Sequence, residues 1–266
     1  MRPNVILFTI VLGGLISVAA FFVFGYPVNE QNTNLAAEPL SGGQQAFLLP
    51  VAQTNYLPIR DFNVVEPGLT AKAVAVYDVR SGRMLYAKNI NQRLPIASIT
   101  KLLTAVVVVE NLNLDRIYEV AAENINVDGL GADLLKNERI LGRDLFKMML
   151  IKSSNDAALV FNAEAQKGNL NLVDKMNEKA KMLGMLDSYF ADPAGLDDAG
   201  TFSTAADLIK LIGYAARYGL IAEALTAKTA DVTSADGRIR HHLINTNHLL
   251  GQLAGIILGK TGYTDP

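Results

Sequence analysis

Ser98 and Lys101 form a Ser-x-x-Lys motif at the start of a long apolar stretch. At helical pitch, residues three positions apart share one face, so the hydroxyl and the amine can approach each other. A neutral amine could then accept the serine proton and make the hydroxyl a nucleophile. Because the ordinary pKa of lysine is about 10.4, the site must disfavour the charged amine by burial or by a second cation. Taken alone the motif is weak, since it occurs by chance about once in a chain of this size.

A second candidate is Ser153-Ser154-Asn155, which continues as Asp156-Ala157. Ser153 and Asn155 stand two positions apart and can face one cleft, where the hydroxyl would relay a proton and the amide would hold a substrate backbone. A simpler interpretation is a helix cap, with Ser or Asn just before the first helical turn. Taken alone, the segment favours the cap.

The third candidate is Lys260-Thr261-Gly262, at the end of an apolar run. In an extended chain Lys260 and Gly262 point one way and Thr261 the other. The lysine and the threonine can therefore serve one ligand only at a strand edge that borders a cleft, or through local twist. Glycine lets a peptide backbone lie close against such a strand. The alternative is a surface turn that continues into Tyr263.

The order and spacing of the three motifs raise their significance, because chance agreement of all three is much rarer than of any one. Together they form the signature of penicillin-binding proteins and serine β-lactamases. Between about Ala71 and Asp265 the chain resembles the low-molecular-mass serine D-alanyl-D-alanine carboxypeptidases, a family of penicillin-binding proteins. The similar stretches are the strand pair with Asp78 and Ser81-Gly82, Pro95 to Ala105, Ser153 to Ala158, Asp192 to Leu196, Ser203 to Leu208, Asn245 to Asn247 and Gly259 to Thr264.

The resemblance implies a catalytic role for four residues. Ser98 would be the nucleophile and Lys101 its general base. Ser153 would pass a proton toward the leaving amine, and Asn155 would hold Lys101 and the substrate amide.

The resemblance also implies a substrate-binding role for Lys260, Thr261, Gly262 and Tyr263. Lys260 and Thr261 would receive the terminal carboxylate of D-alanine. The backbone N–H groups of Ser98 and Tyr263 would form the oxyanion hole, worth about 3 to 4 kcal/mol per donor.

From these roles we expect a serine D,D-carboxypeptidase that removes the terminal D-alanine from peptidoglycan stem peptides through an acyl-enzyme on Ser98. It would contribute to cell-wall synthesis and cell shape, and β-lactam antibiotics would inhibit it. Two alternatives stay open: a non-catalytic β-lactam-binding receptor or structural domain, and a class A-like β-lactamase. The β-lactamase would need a further carboxylate, but no Glu-x-x-Leu-Asn stands between the second and third motifs, and Glu164 and Glu178 fall in helical patterns.

The elements around the motifs predict an α+β fold. Ala71 to Val79 and Met84 to Ala87, joined by Arg80 to Arg83, have the composition of a strand pair. Ile99 to Leu114 contains four consecutive valines, but its length favours a buried helix, with its start near Pro95 and Ser98 and its stop at Asn111 to Asn113. Further helices are predicted over Gly142 to Leu150, Ser154 to Gln166, Leu172 to Leu183 and Ala205 to Tyr218, and a last strand over Leu253 to Tyr263.

This order predicts a β-lactamase/transpeptidase-like antiparallel sheet covered by helices, with a mostly helical subdomain. Members of the family continue past Lys-Thr-Gly with further strands, whereas this sequence stops at Pro266. We therefore expect the last strands of the sheet to be missing and the Lys-Thr-Gly strand to lose a neighbour. A chain of this length is expected to be unstable or poorly active.

Three regions are predicted along the chain. Residues 1–26 contain an apolar run from Val5 to Tyr26, long enough to cross a bilayer, and predict a transmembrane anchor or, as the alternative, a signal peptide that is cleaved from a secreted protein. Arg2 precedes this run and Glu30 is the first charge after it, which predicts an extracytoplasmic catalytic domain on a bacterial cell membrane. Residues 27–67 predict a flexible linker, and residues 68–266 the penicillin-binding domain.

Composition excludes other classes of function. The net charge of the 266-residue chain is −2, without clusters of Lys or Arg, so we expect no nucleic-acid partner. Cysteine is absent, which excludes disulfides, thiolate zinc sites and a cysteine nucleophile. His241, His242 and His248 lack the spacing of known metal motifs and are expected in packing or surface roles. We expect no metal and no other cofactor. The expected partners are peptides ending in D-Ala-D-Ala, β-lactams and the membrane.

Overall fold

The structure is a computed structural model of the chain. It describes residues 7–12, 18–23, 57–59, 61, 63–125, 134–196, 200–253 and 258–263, and for residues 7–12 and 18–23 it describes the backbone alone. Most of the predicted linker, residues 27–67, lies outside these ranges.

One antiparallel sheet of five strands organises the molecule. In spatial order its strands are β11 (Leu258–Gly262), β2 (Val18–Val23), β1 (Leu7–Leu12), β3 (Ala73–Asp78) and β4 (Arg83–Lys88). The predicted strand pair is confirmed as β3 and β4. Asp78 closes the turn between them, because its carboxylate accepts hydrogen bonds from the backbone N–H of Arg80 and the hydroxyl of Ser81. Gly82, with φ at +69°, takes the left-handed position.

The N-terminal segment differs from the predicted transmembrane helix. Within it the structure describes β1 and β2, which pair with Leu7 opposite Val23 and Val11 opposite Ala19. An apolar run does not by its periodicity distinguish helix from strand, and this one is rich in β-branched and aromatic residues, which favour strands. Among the described ranges, no helix is both long and apolar enough to cross a bilayer.

The Lys-Thr-Gly strand also has a neighbour, contrary to the expectation. β11 pairs antiparallel with β2, with Lys260 opposite Ala20 and Gly262 opposite Val18. β1 in turn pairs with β3. The N-terminal strands therefore lie between β11 and β3 and satisfy backbone groups that an unpaired strand would expose. The reason given for expecting a poorly active chain, an unpaired Lys-Thr-Gly strand, is thus not met in the structure.

Six α-helices are described. They are α1 (Thr100–Asn111), α2 (Gly142–Ile151), α3 (Asn155–Lys167), α4 (Leu172–Met182), α5 (Ala205–Ala215) and α6 (Gly219–Thr226). The first five confirm the predicted helices, with small shifts at their ends. α1 forms despite its valines because it lies at the centre of the core, where Val106, Val107 and Val108 are buried, and tertiary packing overrides propensity.

Short two-stranded sheets complete the fold. Their strands are β5 (Leu94–Pro95) with β8 (Phe202–Ser203), β6 (Ile117–Glu119) with β7 (Arg139–Leu141), and β9 (Thr229–Thr233) with β10 (Arg240–Ile244). The sequence predicted neither α6 nor the β9–β10 hairpin. β9 and β10 are short and carry charged residues and histidines among their apolar ones, so their alternation is weak. The α+β prediction is confirmed.

Candidate active site

Ser98 lies in a 3₁₀ turn, Ala97–Ile99, directly before α1. The turn is closed by the backbone N–H of Ile99, which donates to the carbonyl of Ile96 at 3.1 Å. Ala97 has φ at +45°, a left-handed conformation that non-glycine residues seldom adopt. α1 itself has no side-chain cap, so Ser98 does not serve as the helix cap and its half-exposed hydroxyl faces Lys101.

Lys101 lies under Ser98 in the first turn of α1, and its side chain has no exposed surface. Its Nζ is 2.7 Å from Ser98 Oγ, 2.6 Å from Asn155 Oδ1 and 2.6 Å from the carbonyl oxygen of Ala194. Burial lowers the pKa of Lys101 from 10.5 to about 7, against the opposing effect of the Asp192 carboxylate, which raises it. Near neutral pH a large fraction of this amine is therefore uncharged and able to accept a proton.

In the segment Ser153-Ser154-Asn155 one residue is the helix cap, and the side chains of the other two contact lysines. Ser154 is the helix cap, because its Oγ accepts the backbone N–H of Ala157 at 3.1 Å. Ser153 has φ at +62° and is buried, and its hydroxyl accepts a hydrogen bond from Lys260 Nζ at 2.7 Å. Left-handed backbone at a serine costs conformational energy and is typical of functional sites. Asn155 opens α3 with its side chain on Lys101.

Lys260 reaches the site from β11, the end strand of the five-stranded sheet. It is 1% exposed, and its Nζ donates to Ser153 Oγ and to the carbonyl oxygen of Thr261 at 2.7 Å. Burial lowers its pKa well below the usual value, and the charge of Lys101 lowers it further. At Gly262 an added Cβ would lie 2.7 Å from the Ile96 carbonyl oxygen, so glycine allows β11 to lie against the Ser98 turn.

The other two predicted binding residues lie at the same strand edge. The Thr261 hydroxyl is 2.5 Å from that of Thr246, which follows β10. Thr246 in turn donates its backbone N–H to the carbonyl of Ile151, at the end of α2. The side chain of Tyr263 is 58% exposed.

The structure therefore brings Ser98, Lys101 and Asn155 into one hydrogen-bonded group, and Ser153 and Lys260 into a second one joined to it through the Ser153–Asn155 segment. Together they place a nucleophilic hydroxyl, an amine base and a second buried amine next to one another.

Two residues that contact predicted site residues, Lys101 and Thr261, carried no predicted role. They are Ala194, through its carbonyl, and Thr246, through its hydroxyl. Both belong to stretches that matched the family, at Asp192 to Leu196 and Asn245 to Asn247. The sequence signalled that these stretches matter but not what they contact.

The remaining titratable candidates have partners elsewhere. His241 Nε2 lies 2.7 Å from the buried Glu138 Oε1, and His242 Nδ1 lies 2.7 Å from Asp231 Oδ1. Glu164 and Glu178 each form an ion pair with a lysine of their own helix, Lys167 and Lys175. These pairings give Glu164 and Glu178 structural roles in their helices.

Comparison with known proteins agrees with this geometry. The family model described as D-alanyl-D-alanine carboxypeptidase matches residues 60–266. A D-alanyl-D-alanine endopeptidase of Pseudomonas aeruginosa is 33% identical over 74% of this chain and 64% of its own length. The D-alanyl-D-alanine carboxypeptidase DacF of Bacillus subtilis is 30% identical over 73% of this chain and 51% of its own length. This chain thus spans about half to two thirds of these relatives.

Solved structures give the same result. The Streptomyces K15 DD-transpeptidase superposes with a TM-score of 0.69 at 27% identity, over 76% of this chain and 83% of its own. Penicillin-binding protein D2 of Listeria monocytogenes, in its ampicillin-bound form, gives 0.64 at 33% identity, over 75% and 82%. The match of one family model to most of the chain, together with these relatives, confirms the resemblance: the chain belongs to the D-alanyl-D-alanine carboxypeptidase family.

Proposed function

We propose that this chain is a serine-type D,D-carboxypeptidase that removes the terminal D-alanine from peptidoglycan stem peptides and is inhibited by β-lactams. One observation carries the proposal. Ser98 Oγ lies 2.7 Å from the buried Nζ of Lys101, whose pKa is lowered to about 7. A hydroxyl beside an amine that is partly neutral at physiological pH is an activated nucleophile.

In the acylation step, Ser98 Oγ bonds to the carbonyl carbon of the penultimate D-alanine while its proton passes to Lys101 Nζ. The C–N bond of the tetrahedral intermediate then breaks, and the leaving amine takes a proton through Ser153, which is hydrogen-bonded to Lys260. Water next attacks the carbonyl carbon of the ester while Lys101 Nζ accepts one water proton. The C–O bond to Ser98 then breaks, and Ser98 Oγ takes that proton from Lys101, 2.7 Å away. The sum is peptide plus water to shortened peptide plus D-alanine, divided into two easier steps.

Carboxylate recognition falls to Lys260 and Thr261 at the edge of β11. Because burial disfavours the charged form of Lys260, an arriving carboxylate would favour its protonation by supplying the missing counter-charge. Substrate binding and the charge on Lys260 would then be coupled. Peptides without this carboxylate would lose both interactions.

A second candidate activity is cleavage of cross-links, since the Pseudomonas aeruginosa relative is named an endopeptidase. The same acyl-enzyme chemistry would serve both reactions, with a different leaving amine.

The test is incubation of the purified chain with a peptide ending in D-Ala-D-Ala, with a cross-linked dimer peptide, and with a labelled penicillin. D-alanine release together with penicillin labelling is the expected result. Cleavage of the dimer without D-alanine release would favour the endopeptidase. Stable labelling without either cleavage would contradict a catalytic role and favour a receptor, and absence of labelling would contradict the proposal altogether.

We further propose that the domain works outside the cytoplasmic membrane. The position of Arg2 before the apolar run from Val5 to Tyr26 supports export of the chain, as does a substrate that lies in the wall. A segment that pairs within the sheet, as β1 and β2 do, cannot lie in the bilayer at the same time. A protease added to spheroplasts of expressing cells should digest the chain, and protection of the chain would contradict the location. Alkaline extraction of the membranes should release the chain; retention in the pellet would show that the segment lies in the bilayer instead of in the sheet.

A further inference from the structure

Asp192 organises the turn that faces Lys101. Its Oδ1 accepts the backbone N–H groups of Ala194 and Gly195 at 2.7 Å, and its Oδ2 accepts that of Leu196 at 3.1 Å. The carboxylate is thus the common acceptor for three successive backbone donors. These hydrogen bonds hold the backbone of the turn, and its Ala194 carbonyl accepts a hydrogen bond from Lys101.

Two further contacts hold the turn against the nucleophile. The Thr104 hydroxyl, one helical turn after Lys101, donates to the carbonyl of Pro193 at 2.7 Å. Gly195 has φ at +77°, and an added Cβ would lie 2.0 Å from the carbonyl oxygen of Ala97. The turn therefore packs directly on the backbone that carries Ser98.

The three neighbours of Lys101 Nζ differ in what they can do. Asn155 Oδ1 and the Ala194 carbonyl oxygen only accept hydrogen bonds, whereas the Ser98 hydroxyl can also donate. A neutral amine carries two N–H groups and one lone pair. When the N–H groups point at Asn155 and Ala194, the lone pair is left facing Ser98 Oγ. Without the Ala194 carbonyl, the amine could rotate its lone pair away from the nucleophile.

We propose that Asp192 is a positioning residue for the reaction, holding the Ala194 carbonyl so that the uncharged amine of Lys101 presents its lone pair to Ser98. This inference rests on the proposed function, because it assigns Lys101 as the base. Asp192 touches neither substrate nor the reacting atoms, and acts through Lys101.

The charge of Asp192 has an effect that can be measured separately, on the pKa of Lys101. It raises the pKa of Lys101 against the lowering by burial, while across the site the charge of Lys101 lowers the pKa of Lys260. A further buried carboxyl close to this site is that of Asp156, next to Asn155 in α3. Asp156 is not substituted in any of the variants. Removing the charge of Asp192 should therefore lower the pKa of Lys101.

The variants separate geometry from charge. Asp192→Asn keeps an oxygen acceptor for the turn but loses the charge. In the plot of penicillin acylation rate against pH, its plateau rate should stay near that of the unmodified chain. The fall in rate at acidic pH should move to lower pH by about one unit. Asp192→Ala loses the acceptor too, and its plateau rate should fall by about 10- to 100-fold. Asp236→Asn is the matched control, since Asp236 also accepts a backbone N–H in a turn, that of Arg238, and should change neither quantity.

The pKa of Lys101, followed by NMR titration of its labelled side chain, keeps the test independent of turnover. A lowered plateau rate in Asp192→Ala beside a preserved one in Asp192→Asn supports the positioning role, and a lower pKa of Lys101 in Asp192→Asn supports the effect of the charge. An unchanged plateau rate in Asp192→Ala would overturn the inference. If Asp192→Ala does not fold, Thr104→Val takes its place, because it removes the hydrogen bond to the Pro193 carbonyl that holds the same turn and should also lower the plateau rate. A chain that shows this pKa shift but never reacts with penicillin would refute the proposed function while leaving the effect of the Asp192 charge on the Lys101 amine established.

Discussion

Substituting Ser98 by alanine is expected to abolish covalent labelling by penicillin and to lower D-alanine release by at least about a thousandfold. The reason is that the variant lacks Oγ, the hydroxyl oxygen that lies 2.7 Å from the Lys101 amine and can form an ester. The surroundings should be unchanged, because the Ser98 turn is held by backbone contacts and by Gly195. Gel fluorescence with a labelled penicillin and a D-alanine assay measure the two losses.

Ser81→Ala provides a matched control. Ser81 is also a partly buried serine with a short side-chain hydrogen bond, to Asp78 Oδ2 at 2.6 Å, but it lies in the β3–β4 turn. This variant should label like the unmodified chain. Labelling that survives in Ser98→Ala would eliminate Ser98 as the nucleophile.

Replacing Lys101 by methionine, which has a similar length and no amine, is expected to lower the acylation rate by about 10²- to 10⁴-fold. In the unmodified chain the rate should rise with pH and level off above about pH 7, because burial lowers the pKa of Lys101 to about 7 and only the neutral amine accepts a proton. Below that pH the amine is protonated and the rate should fall about tenfold per unit. Stopped-flow acylation across pH 5 to 9 gives both quantities.

Lys147→Met is the control for this series, since Lys147 lies on α2, half-exposed, and pairs with Asp144. It should keep both the rate and the pH profile. An acid limb near pH 7 that persists in Lys101→Met would show that another group is the base.

Local patterns sufficed for the β3–β4 pair and for α1 to α5. Apolar periodicity, turn residues and, for α1, the length of the apolar run can be read from neighbouring positions. The three motifs were also readable, since each occupies consecutive positions. Ser98, Lys101, Ser153, Asn155 and Lys260 lie together as the family resemblance led us to expect.

Elements that depend on distant partners were the ones missed. β1 and β2 form strands where a membrane helix was predicted, because an apolar run takes the conformation that its partners stabilise. The β9–β10 hairpin packs against α2. It is also joined to β7, because Ser234, which follows β9, pairs with Ile140. Likewise Thr246 reaches Thr261 only through the packing of β10 beside α2.

The sequence alone established which reactive groups are present: a serine, a lysine three positions later and a second lysine in the last predicted strand. It also established their order along the chain. Whether that amine can act as a base was decided by folding, because only burial by residues far away in the chain removes the water that would keep Lys101 charged. Folding also decided the contact between Lys101 and the Ala194 carbonyl, because the two residues are 93 positions apart in the chain. Reactivity here is a property of desolvation and of contacts between remote segments, and neither is encoded in any single stretch of residues.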